Sequence, residues 1–266
     1  MDYDNFNKFI KGPVIDLREA TFCDPWFISM VCLLAIERKN DPKKELLLPV
    51  SEDVKNYLKR IHFDIFMKEI GYEKFVRELG NINMVERENT NVYEITHSLA
   101  SDDFNARLTK IRTMFKNFGM NSQDDINRAT VLVSELGNNV FDHNLGLWPT
   151  DVRGAIIVGQ NYPKLKKIEM VVADSGVGFK KSLQLRNPNL NDVEAIKLGL
   201  QGITGRVGEN RGNGLKLIQD WTINKFNGIV KIQSGSGLVI VDKDGVRSRT
   251  VNKILGTLAS FVVIYN

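Results

Sequence analysis

The chain of 266 residues carries 36 Lys and Arg against 32 Asp and Glu, and its net charge of +4 leaves it only mildly basic. With 42% hydrophobic and 26% charged residues it has the composition of a soluble globular protein, with room for one large domain or two ordinary ones. No run of like charges offers a nucleic-acid arm, and the longest apolar stretch, residues 27–36, falls short of the roughly 20 residues that a membrane span needs.

The amino-terminal MDYDNFNKFIKG lacks the apolar core of a secretory signal, so the expectation is a cytoplasmic protein with neither nucleic acid nor membrane as partner. Residues 14–17 (VIDL) read as a short buried strand. Asp24 is a good helix N-cap and Pro25 suits the first helical position, so a helix is expected over 26–38. Residues 44–50 (KELLLPV) read as a second strand, and Ser51-Glu52-Asp53 as the cap of one helix reaching Met67. Strand, helix, strand, helix with right-handed crossovers implies a small parallel α/β unit. Cys23 and Cys32 sit in apolar surroundings without ligand spacing and are expected as free, buried small hydrophobes. His62, in an apolar helix, has no partner that sequence shows.

The pattern VIDLREATFCDPWFISMVCLLA resembles the core of a STAS domain, the fold of anti-anti-sigma factors. In that family a serine in an Asp-Ser-Ser/Thr-Gly turn takes phosphate. Here the turn reads Asp24-Pro25-Trp26-Phe27, so no phosphoacceptor carries over. The resemblance implies a docking or autoregulatory module over 1–88.

Residues 92–99 read as a strand and 102–118 as a helix capped by Ser101 or Asp102. His97 lies in the strand and lacks the acidic residue that follows a sensor kinase's phosphoacceptor, so it reads as an ordinary strand histidine. Beyond it, Ile126, Ala129, Val133, Leu136 and Val140 are spaced as the apolar seam of an amphipathic helix. Beside that seam Glu135, Asn139 and Asp142 share one face. A carboxylate one turn from a carboxamide suits a base beside an oxygen ligand for a hard cation, whereas the plain alternative is a solvated polar face.

Asp174-Ser175-Gly176-Val177-Gly178 follows the apolar run 168–173, and Gly212-Asn213-Gly214-Leu215 opens a helix expected over 215–226. With 131–144 (VLVSELGNNVFDHN), these two stretches resemble, in order, the N box, D-x-G-x-G box and G-x-G-L box of the GHKL superfamily of ATP-binding domains. Carried over, the resemblance implies Glu135 as catalytic base, Asn139 as Mg²⁺ ligand and Asp174 as acceptor of the adenine amino group. It implies Gly176 and Gly178 as the tight turn under the base, and Gly212, Gly214 and Leu215 as the phosphate-holding helix start. His143 and Asn144 follow as polar residues near phosphate, and Asp142 is counted among the ligand-binding residues. Residues 179–211, studded with Gly199, Gly202, Gly205 and Gly208, correspond to the ATP lid, expected as a mobile loop. Of its cations, Arg206 and Arg211 are expected to reach phosphate, and Lys180 and Lys181 to be solvated. Strand-like runs at 228–233, 238–242 and 255–265 are joined by the turns Ser234-Gly235-Ser236-Gly237 and Asp244-Gly245, and Thr257 falls where the family places a threonine against adenine.

The expectation is therefore an α/β chain: a STAS-like domain over 1–88, then a GHKL (Bergerat) α/β sandwich over 89–266 with a mixed sheet. Its implied ligands are ATP and Mg²⁺. The implied function is a regulatory protein, of bacterial type, that hydrolyses ATP or transfers its phosphate. A serine/threonine kinase acting on a separate STAS protein and a non-catalytic nucleotide-gated scaffold are the alternatives. A regulatory protein and a second copy of the chain are candidate partners.

Overall fold

The computed structural model describes residues 6, 8–82, 91–144, 147–184, 188–203 and 213–265. The chain is a mixed α/β protein. The amino-terminal segment builds a three-stranded sheet from β1 (Ile10–Lys11), β2 (Val14–Asp16) and β3 (Glu45–Leu47). β1 runs antiparallel to β2, and β2 parallel to β3, with α1 (Pro25–Arg38) as the crossover. Asp24 caps α1 by accepting the Phe27 N–H at 2.7 Å. Every residue from Pro25 to Ile36 is buried, the mark of a helix enclosed on all sides rather than lying on a surface. The two cysteines are free and buried, as their surroundings suggest.

The single helix expected over 51–67 is two, α2 (Glu52–Arg60) and α3 (Phe63–Glu69), followed by α4 (Glu73–Gly80). The break falls at His62, whose left-handed φ of 61° ends the α2 hydrogen-bond ladder and re-aims the chain so that Phe63, Phe66 and Met67 reach the core.

The remainder comprises β4 (Val92–Ser98), α5 (Ser101–Asn117), α6 (Gln123–Asn144), β5 (Ala155–Tyr162), β6 (Lys167–Asp174), α7 (Gly178–Leu183), α8 (Asp192–Leu200), α9 (Gly214–Asn224), β7 (Ile229–Ser234), β8 (Gly237–Asp242), β9 (Gly245–Thr250) and β10 (Thr257–Ile264). Ala100, with no side-chain bond, stands at the start of α5 in place of the expected Ser101 or Asp102 cap. Seven strands form one sheet in the order β4-β5-β6-β10-β7-β8-β9. Every pairing in it is antiparallel, which corrects the expected mixed sheet. The reason is connectivity. Two-residue turns join β7, β8 and β9, which permits only antiparallel neighbours, and β10 returns between β6 and β7 against both. The parallel pair lies in the small sheet, where a helix crosses over.

Alternation along β6 divides the core. Ile168, Met170 and Val172 pack toward α5, α6 and α9, whereas Val171 and Ala173 join the cluster that contains α1. The amino-terminal segment thus covers the second face of the large sheet. Tyr57 donates to Gln160 Oε1 at 2.8 Å, and the Ile95 N–H, turned out by a register shift in β4, donates to the Ile61 carbonyl at 2.8 Å. His97 is the expected strand histidine. Its Nδ1 lies 2.5 Å from Glu69 Oε1 and its Nε2 2.6 Å from the Arg153 carbonyl, so it too joins the two segments. The expected boundary near 88 lies outside the described residues. Among the described residues no helix is long and apolar enough to cross a membrane.

Candidate functional site

At the other face of the sheet, a cavity opens between α6, the ends of β6 and β10, and the helices α7, α8 and α9. Its lining includes Asn139, Val140, His143, Asn144, Asp174, Gly178, Phe179, Gly199, Leu215 and Thr257. Residues far apart in sequence meet here because α6 lies across the strands whose carboxyl and amino ends carry Asp174 and Thr257, paired directly in register.

Asp174 is buried at the end of β6. Its Oδ1 accepts the Gly176 N–H at 2.8 Å and the Asn144 Nδ2–H at 3.1 Å. Among the described residues Oδ2 takes no hydrogen bond, which leaves one carboxylate oxygen for a donor in the cavity. Burial pushes the carboxyl up to about 6, partly offset by those two donors.

Asn144, expected as a polar residue near phosphate, lines the cavity and is also tied into the fold. It is 3% exposed, and its Nδ2 also donates to the Val140 carbonyl at 2.8 Å, while its Oδ1 accepts the Val177 N–H at 2.8 Å. It ties the last turn of α6 to the glycine turn after β6. Gly176 permits that approach: a Cβ there would lie 1.9 Å from Asn144 Oδ1.

Glu135 and Asn139 occupy successive turns of α6. Burial, and then the nearby charge of Asp142, raise the Glu135 carboxyl above its ordinary range. The first residue of α9 rests against it, since a Cβ on Gly214 would lie 2.4 Å from Glu135 Oε2. The start of α9, with its unsatisfied N–H groups, therefore abuts the candidate base. Asn139 Nδ2 is buried with no partner among the described residues, a cost that a ligand or ordered water in the cavity would offset.

Of the expected site residues, Asn139, His143, Asp174, Gly178, Leu215 and Thr257 line the cavity, and Glu135, Gly176 and Gly214 stand directly beside it. Asp142 does not line it and acts on Glu135 through charge. Arg206, Arg211 and Gly212 lie outside the described residues. Lys180 and Lys181 are exposed, as expected.

Within the expected lid, α7 and α8 are helices, 188–191 and 201–203 are turns or irregular, and Gly205 and Gly208 lie outside the described residues. Asn191 and Glu194 form a reciprocal capping box at the start of α8, and Asp192 Oδ2 accepts the Ser236 N–H at 2.8 Å and the Ser236 Oγ–H at 2.7 Å. With α8 held on the β7–β8 turn, the cavity encloses only about 60 Å³, well below the several hundred of small-molecule pockets. α7, through Phe179, Ser182 and Leu183, and α8, through Gly199, form part of its wall.

Ser234 is a residue that sequence did not single out. Its Oγ accepts the Phe179 N–H at 3.0 Å and donates to the Gly256 carbonyl at 3.1 Å, beside Thr257 Oγ1 at 3.2 Å. Comparison of the chain with protein-family models, with curated proteins and with solved structures gave no match.

Proposed function

We propose that the chain is a nucleotide-gated regulatory protein whose 89–266 segment is a GHKL-type ATP-binding domain and whose 1–88 segment is a STAS-like interaction unit. The observation that carries this reading is convergence: Asn139, Asp174 and Leu215, from three separate sequence boxes, line one cavity, with Glu135 seated against Gly214.

In this reading Asp174 Oδ2 accepts the exocyclic amine of adenine, and the turn through Gly176 lets the base lie close to the backbone. The N–H groups at the start of α9 hold phosphate oxygens. Mg²⁺ binds through few protein oxygens and keeps phosphate and water for the rest. The donor set fits that habit: Asn139 supplies an amide oxygen one turn from Glu135 on α6. Bound Mg²⁺ would neutralise phosphate charge. Glu135, more basic than an ordinary carboxylate, takes a proton from the attacking water or hydroxyl.

The test is thermal unfolding of wild type and Asp174→Ala with and without Mg-ATP. A ligand of the native state stabilises it by about 2.7 kcal/mol at a hundredfold excess over Kd. A shift in wild type that the variant loses supports the reading, and no shift in wild type at millimolar nucleotide ends it.

A further inference from the structure

A second cavity, of about 300 Å³, lies on the opposite face of the sheet, between the amino-terminal end of α1 and strands β6, β10, β7, β8 and β9. Its floor holds two buried polar groups that take no hydrogen bond among the described residues. Glu169 is 4% exposed; Lys231 Nζ at 3.9 Å and Lys167 Nζ at 4.0 Å stand beyond hydrogen-bond range, and the charge of the chain's amino terminus also acts on it. Among the described residues its carboxylate accepts no hydrogen bond. Ser260 is 1% exposed, and its Oγ has no partner among the described residues. A buried carboxylate and a buried hydroxyl without hydrogen bonds are costly, and a polar ligand that supplies them offsets the cost.

The lining restricts that ligand. Lys167, Lys231 and Arg247 bring positive charge, and Glu169 and Asp24 negative charge, to one small space. A simple anion would face two carboxylates, and a simple cation three cationic side chains. A molecule with both charges meets each with its opposite. The remaining walls are apolar, with Met30 and Phe27 opposite Val262, and with Trp26 carrying Lys231 Nζ 3.9 Å above its ring. The volume is at the low end of small-molecule sites. We propose that this cavity binds a small zwitterion with an apolar body, of the free amino acid class. Its ammonium donates to Glu169 and Ser260, and its carboxylate faces the lysines. Because α1 and the sheet each form a wall, occupancy would fix the amino-terminal segment against the sheet. The site shares no residue with the α6–α9 cavity, so it stands or falls independently of the nucleotide reading.

The experiment is thermal unfolding and calorimetric titration of the full chain against the standard free amino acids, one at a time at millimolar concentration. 3-Phenylpropionate and phenethylamine serve as single-charge controls. Saturable stabilisation by one or more apolar amino acids is expected, weakened at least tenfold in Glu169→Gln and in Ser260→Ala, and retained in Asp174→Ala. The Ser260→Ala chain keeps every charge, so it remains informative if Glu169→Gln unfolds. Three results would each overturn the proposal: no response to any amino acid, an unchanged response in Ser260→Ala, or equal binding of either single-charge control.

Discussion

The joint between α6 and the glycine turn after β6 yields the sharpest prediction. In Gly176→Ala the new methyl would overlap the whole Asn144 carboxamide, with its Oδ1, Cγ and Nδ2 at 1.9, 2.2 and 2.3 Å. Asn144 is buried, and any swing away from the methyl takes it off Asp174, Val177 and Val140. Three hydrogen bonds of about 1 kcal/mol each are lost, so a destabilisation of about 3–5 kcal/mol is expected once the buried groups left unpaired are included. For a chain of this size each kcal/mol moves the midpoint by roughly 2–4 °C. Urea unfolding followed by tryptophan fluorescence and circular dichroism gives the free energy wherever the two probes coincide. The decisive comparison is the double variant with Asn144→Ala. The added methyl then occupies the space the carboxamide vacated, so the pair should cost at least about 1 kcal/mol less than the sum of the singles. Costs that simply add would refute the argument that Gly176 is glycine because of Asn144.

Other outcomes follow from the same geometry. Asp174 has a folded-state value of about 6 against an ordinary 3.8, so its contribution is fully present below about pH 4 and is lost as pH rises through 6. That change amounts to up to about 3 kcal/mol, and Asp174→Asn should flatten the stability curve over this window; an unchanged curve would exclude burial as the dominant influence on the group. Glu135→Gln is expected to lower phosphate release by roughly a hundredfold or more while keeping the Mg-ATP thermal shift. Release at the wild-type rate would leave a binding module without chemistry. Asp192→Ala removes both bonds that hold α8 to Ser236, so stopped-flow association of a fluorescent ATP analogue should be several-fold faster, at a stability cost of about 1–2 kcal/mol. An unaltered association rate would show that α8 is not what gates the cavity.

What could be read in the sequence was what is local or periodic. The seam of α6, the strand before Asp174 and the hairpin turns declare themselves through spacing, and Asp24 with Pro25 marks the start of α1. Glu135, Asn139 and Asp174 can be singled out because their chemistry is written beside glycines or on one helical face, and the structure brings them to or beside one cavity. What escaped depends on distant partners. Nothing near Ser234 announces that it will hold Phe179, 55 residues away, and Asn144 shows its role only once Asp174, 30 residues on, is beside it. The helices within the expected lid were missed because glycine was taken as a sign of a loop. Gly199 instead lies inside α8, where a Cβ would lie 2.5 Å from the Phe179 ring. Antiparallel pairing across the whole large sheet was hidden for a related reason: the position of β10 between β6 and β7 is a long-range fact.

The complete burial of α1 bears on how the molecule can be divided. Its side chains meet both the small sheet and the back of the large one, so one continuous apolar interior extends from Phe9 and Leu33 to Val171 and Leu258. Cutting the chain in the 83–90 region would expose two matching apolar faces at once, one on each fragment. Neither half is then expected to behave as a well-mannered soluble module, and the intact chain should melt in one transition rather than two. The shared interior couples the two segments, so a cavity made in α1 is expected to lower the one melting transition of the whole chain.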